Sequence, residues 1–311
     1  MKTIQLQQFG DASVLQMQEV EVPLLKDDQV LIKIKASSVN PIDIKIRKGF
    51  MKDALPKPFP IVLGWEAAGI IGAIGKNVTR LHIGDEVYTM PNFMQGGTYA
   101  QYVAVNENEV ALKPSTISFE DAAALPMVAG AAYTALFKIA NLKAGQKILI
   151  HGAAGSVGSL AVQMAKNIGA YVIGTASDEG INLLKKLKTD GIIDYTNTDF
   201  EKLVKDVDVV LDLVGGATQE KSFTVLKKGG LLLSTVSPPS IDKATEYGVT
   251  AVFIFTKPDY KMLDEIALMA DTGKLQPPII NLMRLDDAAN AHTLLETGKI
   301  KGKIIFKMDT T

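Results

Sequence analysis

Cysteine is absent from the 311-residue chain. That excludes disulfides, thiolate nucleophiles and thiolate-bound zinc. Histidine is scarce: His82, His151 and His292 stand far apart without ligand spacing, and each reads as a solvated or capping residue. Tryptophan occurs once, at Trp65, and arginine only at Arg47, Arg80 and Arg284, so the positive charge is nearly all lysine. A formal net charge of −1 leaves no basic footprint for nucleic acid and no polybasic membrane signal. The start, MKTIQLQQFG, lacks the apolar core of a signal peptide. The uncharged run Ala122 to Phe137 is shorter than a membrane span and contains Pro126 and Gly130, which suits a buried, bent helix. The expectation is a soluble, cytoplasmic protein. No Tyr-x-x-x-Lys, phosphate loop or G-x-S-x-G elbow occurs, which argues against short-chain dehydrogenases, P-loop enzymes and α/β-hydrolases.

What is present is a core and a glycine turn. Hydrophobic residues make up 47% of the chain, enough for two cores and too many for disorder. Lys147 to Ser177 reads as strand, turn, helix, strand. Ile148–Ile150 is a short apolar run, suited to a buried parallel strand. The turn runs Ala153, Ala154, Gly155, Ser156, Val157, Gly158, with Ala153 at the first glycine position of G-x-G-x-x-G. Val157, Leu160, Ala161, Met164, Ala165 and Ile168 then recur at helical spacing. A pyrophosphate must approach backbone N–H groups at a positive helix N-terminus. A Cβ at Gly155 would block that approach, and one at Gly158 would push the helix off its strand. In this frame the motif predicts a bound dinucleotide. A tight βα turn without ligand is the competing reading.

The surrounding pattern predicts an α/β chain. Residues 1–117 are strand-rich, with QVLIKIKA (29–36) alternating in period two, and suit a barrel-like domain. Residues 118–257 alternate strands (147–151, 171–176, 191–194, 207–213, 230–236, 249–255) with helices (120–140, 156–168, 179–189, 198–205, 217–227). Six strands so joined describe a doubly wound parallel Rossmann sheet, with ligand at the strands' carboxyl ends. Residues 258–311 add helices near 259–273 and 286–297 and a last strand, 302–308. That strand needs a sheet edge and is expected to rejoin the first domain.

The second Rossmann strand bears on the cofactor. NAD sites usually end it with an acid for the ribose hydroxyls, but here the position is Ala176, followed by Ser177. The expectation is NADPH, with Ser177 toward the 2′-phosphate. Asp178 and Glu179, just beyond, oppose it. By their places after strand ends, Val214 and Ser234 are expected at the cofactor, with turn chemistry as the alternative.

Several further segments carry a resemblance: Ser37–Asp43 (SSVNPID) with Arg47 and Gly49, Pro60–Gly69 (PIVLGWEAAG), Gly84–Val87 (GDEV), Gly97–Val103 (GTYAQYV), Ala123–Pro126, Ile193–Tyr195 and Gly302–Ile305 (GKII). In this order, nearly end to end, the chain resembles the zinc-independent quinone oxidoreductase and enone reductase branch of the medium-chain dehydrogenase/reductase superfamily. The resemblance implies a GroES-like fold for the β-rich catalytic domain, Thr134 near the nicotinamide, Tyr195 at the adenosine phosphate, and a homodimer through the strand near Val249–Phe255.

In the zinc-dependent branch, Cys and Gly-His-Glu supply ligands. Here Asn40 and Trp65 stand at those positions, so no zinc is expected. Without a Lewis acid, hydride transfer to a quinone or an α,β-unsaturated carbonyl fits, because the acceptor delocalises charge and one or two donors suffice. Asn40 is a candidate donor, or a turn cap ahead of Pro41. Lys45 is a candidate oxyanion stabiliser, or a solvated lysine. Asp43 and Arg47 are expected to form an ion pair. Trp65 and Phe93 are candidate pocket walls, or core. The competing functions are a non-catalytic dinucleotide-binding redox sensor and a reductase of a dedicated metabolite such as an enoyl thioester.

Overall fold

The alternation in Gln29–Val39 produces the backbone of the first unit. In the computed structural model, which describes residues 1–56, 58–298 and 300–308, this segment is an eleven-residue strand with Val30, Ile32 and Ile34 buried. Ala67–Ile74 pairs with it antiparallel. Tyr102–Asn106 pairs with its first half and Lys303–Lys307 with its last residues, Ile304 opposite Val39. The C-terminal strand therefore joins the first domain, held between Gln29–Val39 and a parallel edge strand, Ile280–Arg284, absent from the pattern reading. Glu86–Thr89 and Val110–Leu112 complete this seven-stranded sheet. A second sheet joins Leu15–Glu19, Lys2–Leu6 and Ile61–Val62. Trp65, Leu63, Ile32, Tyr99 and Phe306 lie in the core of this unit. The unit comprises residues 1–127, 257–273 and those from 277 onward. It takes in 118–127, which the pattern assigned to the dinucleotide domain. Glu120 meets Lys307 at 3.0 Å and the Met127 N–H donates to Glu66, and both contacts tie that segment to the β-rich unit.

The second unit, residues 128–256 and 274–276, contains a six-stranded sheet. Its spatial order is Gly191–Asp194, Tyr171–Ala176, Lys147–His151, Val207–Asp212, Leu226–Ser234, Thr250–Phe253, all parallel. The order reverses direction between Lys147–His151 and Val207–Asp212, the switch point where such sheets bind ligands. The helix Ser156–Asn167 buries Leu160, Ala161, Met164 and Ala165, four of the six periodic residues.

The expected helix 120–140 is three pieces: Phe119–Ala123, Pro126–Tyr133 and a π-helical segment, Thr134–Ile139. Pro126 has no N–H to continue the first piece, and the Ala124 and Leu125 N–H groups turn back to Asp121 and Ala122. Expected helix 198–205 shortens to Phe200–Leu203. Two helices escaped the pattern, Pro41–Arg47 and Ile241–Tyr247, each only seven residues long. No described helix is long and apolar enough to cross a membrane.

Candidate active site

In the second unit, the strands' carboxyl ends gather the sequence-predicted residues. The turn follows Lys147–His151, and Gly155 caps the helix Ser156–Asn167. The N–H groups of Ser156, Val157 and Gly158 have no acceptor among the described residues, so they remain available to an anion. Gly155 is exposed, and a Cβ there would meet only the Gly152 carbonyl, at 3.3 Å, so its missing side chain leaves open space above the turn. Neighbouring contacts are tight. A Cβ on Gly174 would stand 2.8 Å from the Ala153 Cβ, and one on Gly180 2.8 Å from the Ala154 Cβ.

Ser177 follows the next strand, and its hydroxyl donates to the Tyr195 hydroxyl at 3.0 Å, so the two residues expected near the adenosine phosphate are in contact. Asp178 and Glu179 occupy the first turn of Asp178–Lys186, where carboxylates favour the helix dipole. That local role accounts for the acids beside Ser177. Val214 follows Val207–Asp212 and is half exposed. Asp212 is buried and accepts from the Val214 and Gly215 N–H groups, from Gln219 and from the Ser234 hydroxyl. Val214 and Ser234 are thus tied to one carboxylate. Thr134 opens the π-helical segment, a distortion frequent at functional sites.

In the first unit, three strand ends converge. Asn40 follows Gln29–Val39, Glu66 precedes Ala67–Ile74, and Lys303 begins Lys303–Lys307. Antiparallel pairing brings them together. Asn40 Nδ2 donates to Glu66 Oε1 at 2.8 Å, and Lys303 Nζ donates to Glu66 Oε1 at 2.6 Å and to Asn40 Oδ1 at 2.8 Å. Glu66 Oε2 accepts the Met127 N–H at 2.8 Å. All three side chains are buried. The Asn40 amide is thus turned into this cluster. The side chain that closes the turn ahead of Pro41 is Asp43, which accepts the Asn40 and Gly64 N–H groups at 2.7 and 3.0 Å.

Asp43 is thereby occupied, and it does not pair with Arg47 as expected; Arg47 pairs with Glu296 from the C-terminal helix instead. Burial pushes the Asp43 carboxyl up to about 7, against those two N–H donors. Lys45 is exposed on Pro41–Arg47. Trp65 is fully buried in the core, its ring 5.0 Å from that of half-buried Phe93. Of the histidines, only His82 is exposed. His151 bonds Thr175 and Ser222, and His292 bonds Tyr99, both in the interior, so neither is solvated or capping.

A family model described as an alcohol dehydrogenase GroES-like domain matches residues 26–115, and one described as a zinc-binding dehydrogenase matches 187–306. The tomato (Solanum lycopersicum) 2-methylene-furan-3-one reductase is 39% identical over 98% of this chain and 79% of its own. The chloroplastic NADPH-dependent alkenal/one oxidoreductase of Arabidopsis thaliana is 35% identical over 96% of this chain and 77% of its own. The Coxiella burnetii quinone oxidoreductase structure superposes with a TM-score of 0.91, at 35% identity and 99% coverage of both chains. The chain belongs to the quinone oxidoreductase and enone reductase branch of the medium-chain dehydrogenase/reductase superfamily.

As an oxidoreductase of this branch, the protein carries two interior residues to which sequence reasoning gave no role, Glu66 and Lys303. Both stood in the motif segments. The signal was a glutamate and a lysine each at the edge of an apolar strand, two charges that the fold must bury together.

The zinc named in one family description finds no matching donors here. Trp65 offers a core indole, Asn40 an amide bonded at both ends, and Glu66 has both oxygens engaged. Among the described residues, no group of three or more His, Asp or Glu could hold a metal ion.

Proposed function

We infer that the protein is an NADPH-dependent oxidoreductase that delivers hydride to a quinone or an α,β-unsaturated carbonyl without zinc. The observation that carries this reading is the Rossmann crevice itself. Unpaired N–H groups of Ser156–Gly158 stand at the turn, and Ser177–Tyr195, not a carboxylate, closes the second strand. The turn suits the pyrophosphate, and two hydroxyls suit a 2′-phosphate better than an acid would. NADPH dependence is also printed in the name of the Arabidopsis relative.

Bound NADPH supplies the hydride. The chain's own residues bind and orient. Ser156–Gly158 hold the pyrophosphate, Ser177 and Tyr195 hold the 2′-phosphate, and Asp212 fixes the Val214 and Ser234 strand ends beside the ribose. Asn40 donates to the acceptor's carbonyl oxygen, and Lys45 adds positive charge where negative charge develops. No side chain is required as a strong acid, because a delocalised enolate or hydroquinone monoanion takes its proton from water. Half-buried Phe93, backed by the core indole of Trp65, is the apolar wall beside the acceptor. A homodimer through the edge strand Thr250–Phe253, where Phe253 is exposed, is part of the same reading.

Stopped-flow oxidation of NADPH by 1,4-benzoquinone and an alkyl vinyl ketone, with NADH alongside, tests it. Rapid acceptor-dependent oxidation is expected. Binding of NADPH with no acceptor-dependent oxidation would leave the redox-sensor reading instead.

A further inference from the structure

The Asn40 side chain is held between opposite charges. Its Oδ1 faces the Lys303 ammonium at 2.8 Å and its Nδ2 faces the Glu66 carboxylate at 2.8 Å. Turning the amide over would set NH₂ against an ammonium and C=O against a carboxylate, donor on donor and acceptor on acceptor. The surroundings therefore leave one orientation. The carboxylate that imposes it is itself fixed, because Glu66 Oε2 accepts the Met127 N–H. Lys303 cannot turn away either, since it is buried and starts a strand registered against Gln29–Val39.

One consequence concerns what Asn40 has left to offer. An amide has two N–H donors and one carbonyl oxygen. Lys303 takes the oxygen and Glu66 takes one N–H. The second Nδ2–H has no acceptor among the described residues. Charges at both ends also polarise the amide in the direction that strengthens that N–H as a donor.

We propose that Lys303 and Glu66 are positioning residues that lock Asn40 as a hydrogen-bond donor, so the site selects ligands presenting an acceptor oxygen, such as a carbonyl or quinone, over alcohols. Resting on the proposed reductase activity, this adds a direction to it. A locked donor stabilises a developing enolate oxygen and offers no base to take a proton from a hydroxyl. A buried ammonium takes up the charge-polarising task, through Asn40, in a site without metal ligands.

The test is the charge-neutral double variant Glu66→Gln with Lys303→Met. The introduced glutamine accepts the Met127 N–H through its oxygen and so presents its NH₂ to Asn40, which must then turn Oδ1 toward it, inverting the amide and moving its N–H groups to the side that Lys303 occupied. The expected result is retained circular dichroism, an NADPH Kd within about twofold of the parent, and kcat for an alkyl vinyl ketone lower by about tenfold to a hundredfold, the range for a lost oxyanion donor. A kcat within about twofold of the parent would overturn the proposal. A second readout needs no turnover: the side-chain ¹⁵N–¹H signals of Asn40, assigned by their loss in Asn40→Asp. In the parent protein one Nδ2 proton is expected downfield and slow to exchange, bonded to Glu66. Two protons at the ordinary shifts of a solvated asparagine amide, both in fast exchange with water, would overturn the lock, even if the double variant does not fold. A parent protein that turns over no quinone or enone defeats the reductase reading alone, while the amide signals still decide the lock.

Discussion

Gly158 packs so closely beneath Gly152 that a Cβ on it would stand 2.3 Å from the Gly152 carbonyl oxygen and 2.7 Å from the Ala153 Cα. Both obstacles are backbone and cannot swing aside. Gly158→Ala is therefore expected to lift the helix from its strand and cost about 1–3 kcal/mol, the range for overpacking. Gly155→Ala differs. Its Cβ meets only the Gly152 oxygen, at 3.3 Å, and points into the open space where the pyrophosphate is proposed to lie. Thermal melts and NADPH titrations of the two variants separate the roles. Gly158→Ala lowers Tm, and Gly155→Ala holds Tm while raising the Kd for NADPH. Equal effects on Tm would contradict this division.

The proposed preference for NADPH rests on the Ser177–Tyr195 hydroxyl pair. A hydrogen bond to a charged group contributes about 1.5–3 kcal/mol, so losing one is worth at least about tenfold. Tyr195→Phe is expected to lower kcat/KM for NADPH by roughly that factor and leave NADH nearly unchanged. Comparable kcat/KM for the two cofactors in the parent protein would remove the preference itself.

The parallel sheet and the turn at its first strand were legible because each rests on local sequence: an apolar run and closely spaced glycines. The edge strand Ile280–Arg284 was not, since its side chains are half exposed or exposed and its pairing is set by Lys303–Lys307. Short helices such as Pro41–Arg47 carry too few turns for a period. The Asn40–Glu66–Lys303 cluster joins residues up to 263 positions apart, so spacing cannot signal it. Asp43 and Arg47, opposite charges close in sequence, were expected to pair, yet tertiary partners outcompeted that proximity. Backbone N–H groups hold Asp43, and Glu296 holds Arg47.

That last pair has a stability consequence. Arg47 is fully buried, with Glu296 as its counter-charge. Glu296→Ala strands an interior guanidinium, and breaking a buried pair from one side costs about 3–5 kcal/mol. Glu296 is partly exposed, so the lower end is expected. Arg47→Met removes the charge with much of the volume and is expected to cost less. Urea unfolding of the two variants checks the order, and a more severe Arg47→Met would contradict it.

Asn40 and Lys45 separate by accessibility. Asn40→Ala removes the proposed donor from a buried network and is expected to lower kcat for an enone by about a hundredfold. Lys45 is exposed, where solvent weakens its field, so Lys45→Ala is expected to lower kcat/KM by only a few-fold, and less at high salt. An unchanged kcat/KM in Lys45→Ala would end its proposed part in catalysis.

Three buried groups make folding stability depend on pH between about 4 and 6.5. Ser222 Oγ donates to the Thr218 carbonyl at 2.7 Å, so it accepts from His151 Nε2–H; Nδ1 then accepts from the Thr175 hydroxyl, which holds the Gly152 N–H at the start of the glycine turn. Burial lowers His151 from its usual 6.5 to about 4, and lowers His292 to about 3. Both stay neutral in the fold where the unfolded chain binds a proton, so each adds stability that is lost as pH falls from 6.5. Asp43 has the opposite sign. Raised by burial from 3.8 to about 7, it holds a proton in the fold that the unfolded chain has released, and so loses stability as pH rises through the same window. These three groups leave a net excess of one proton on the unfolded chain, hence stability rising with pH by about 1.4 kcal/mol per unit. His151→Gln is expected to bring that slope near zero, and Asp43→Asn to double it. Urea midpoints at half-unit intervals from pH 4.5 to 6.5 measure the slopes, and the same slope in all three proteins would refute the assignment.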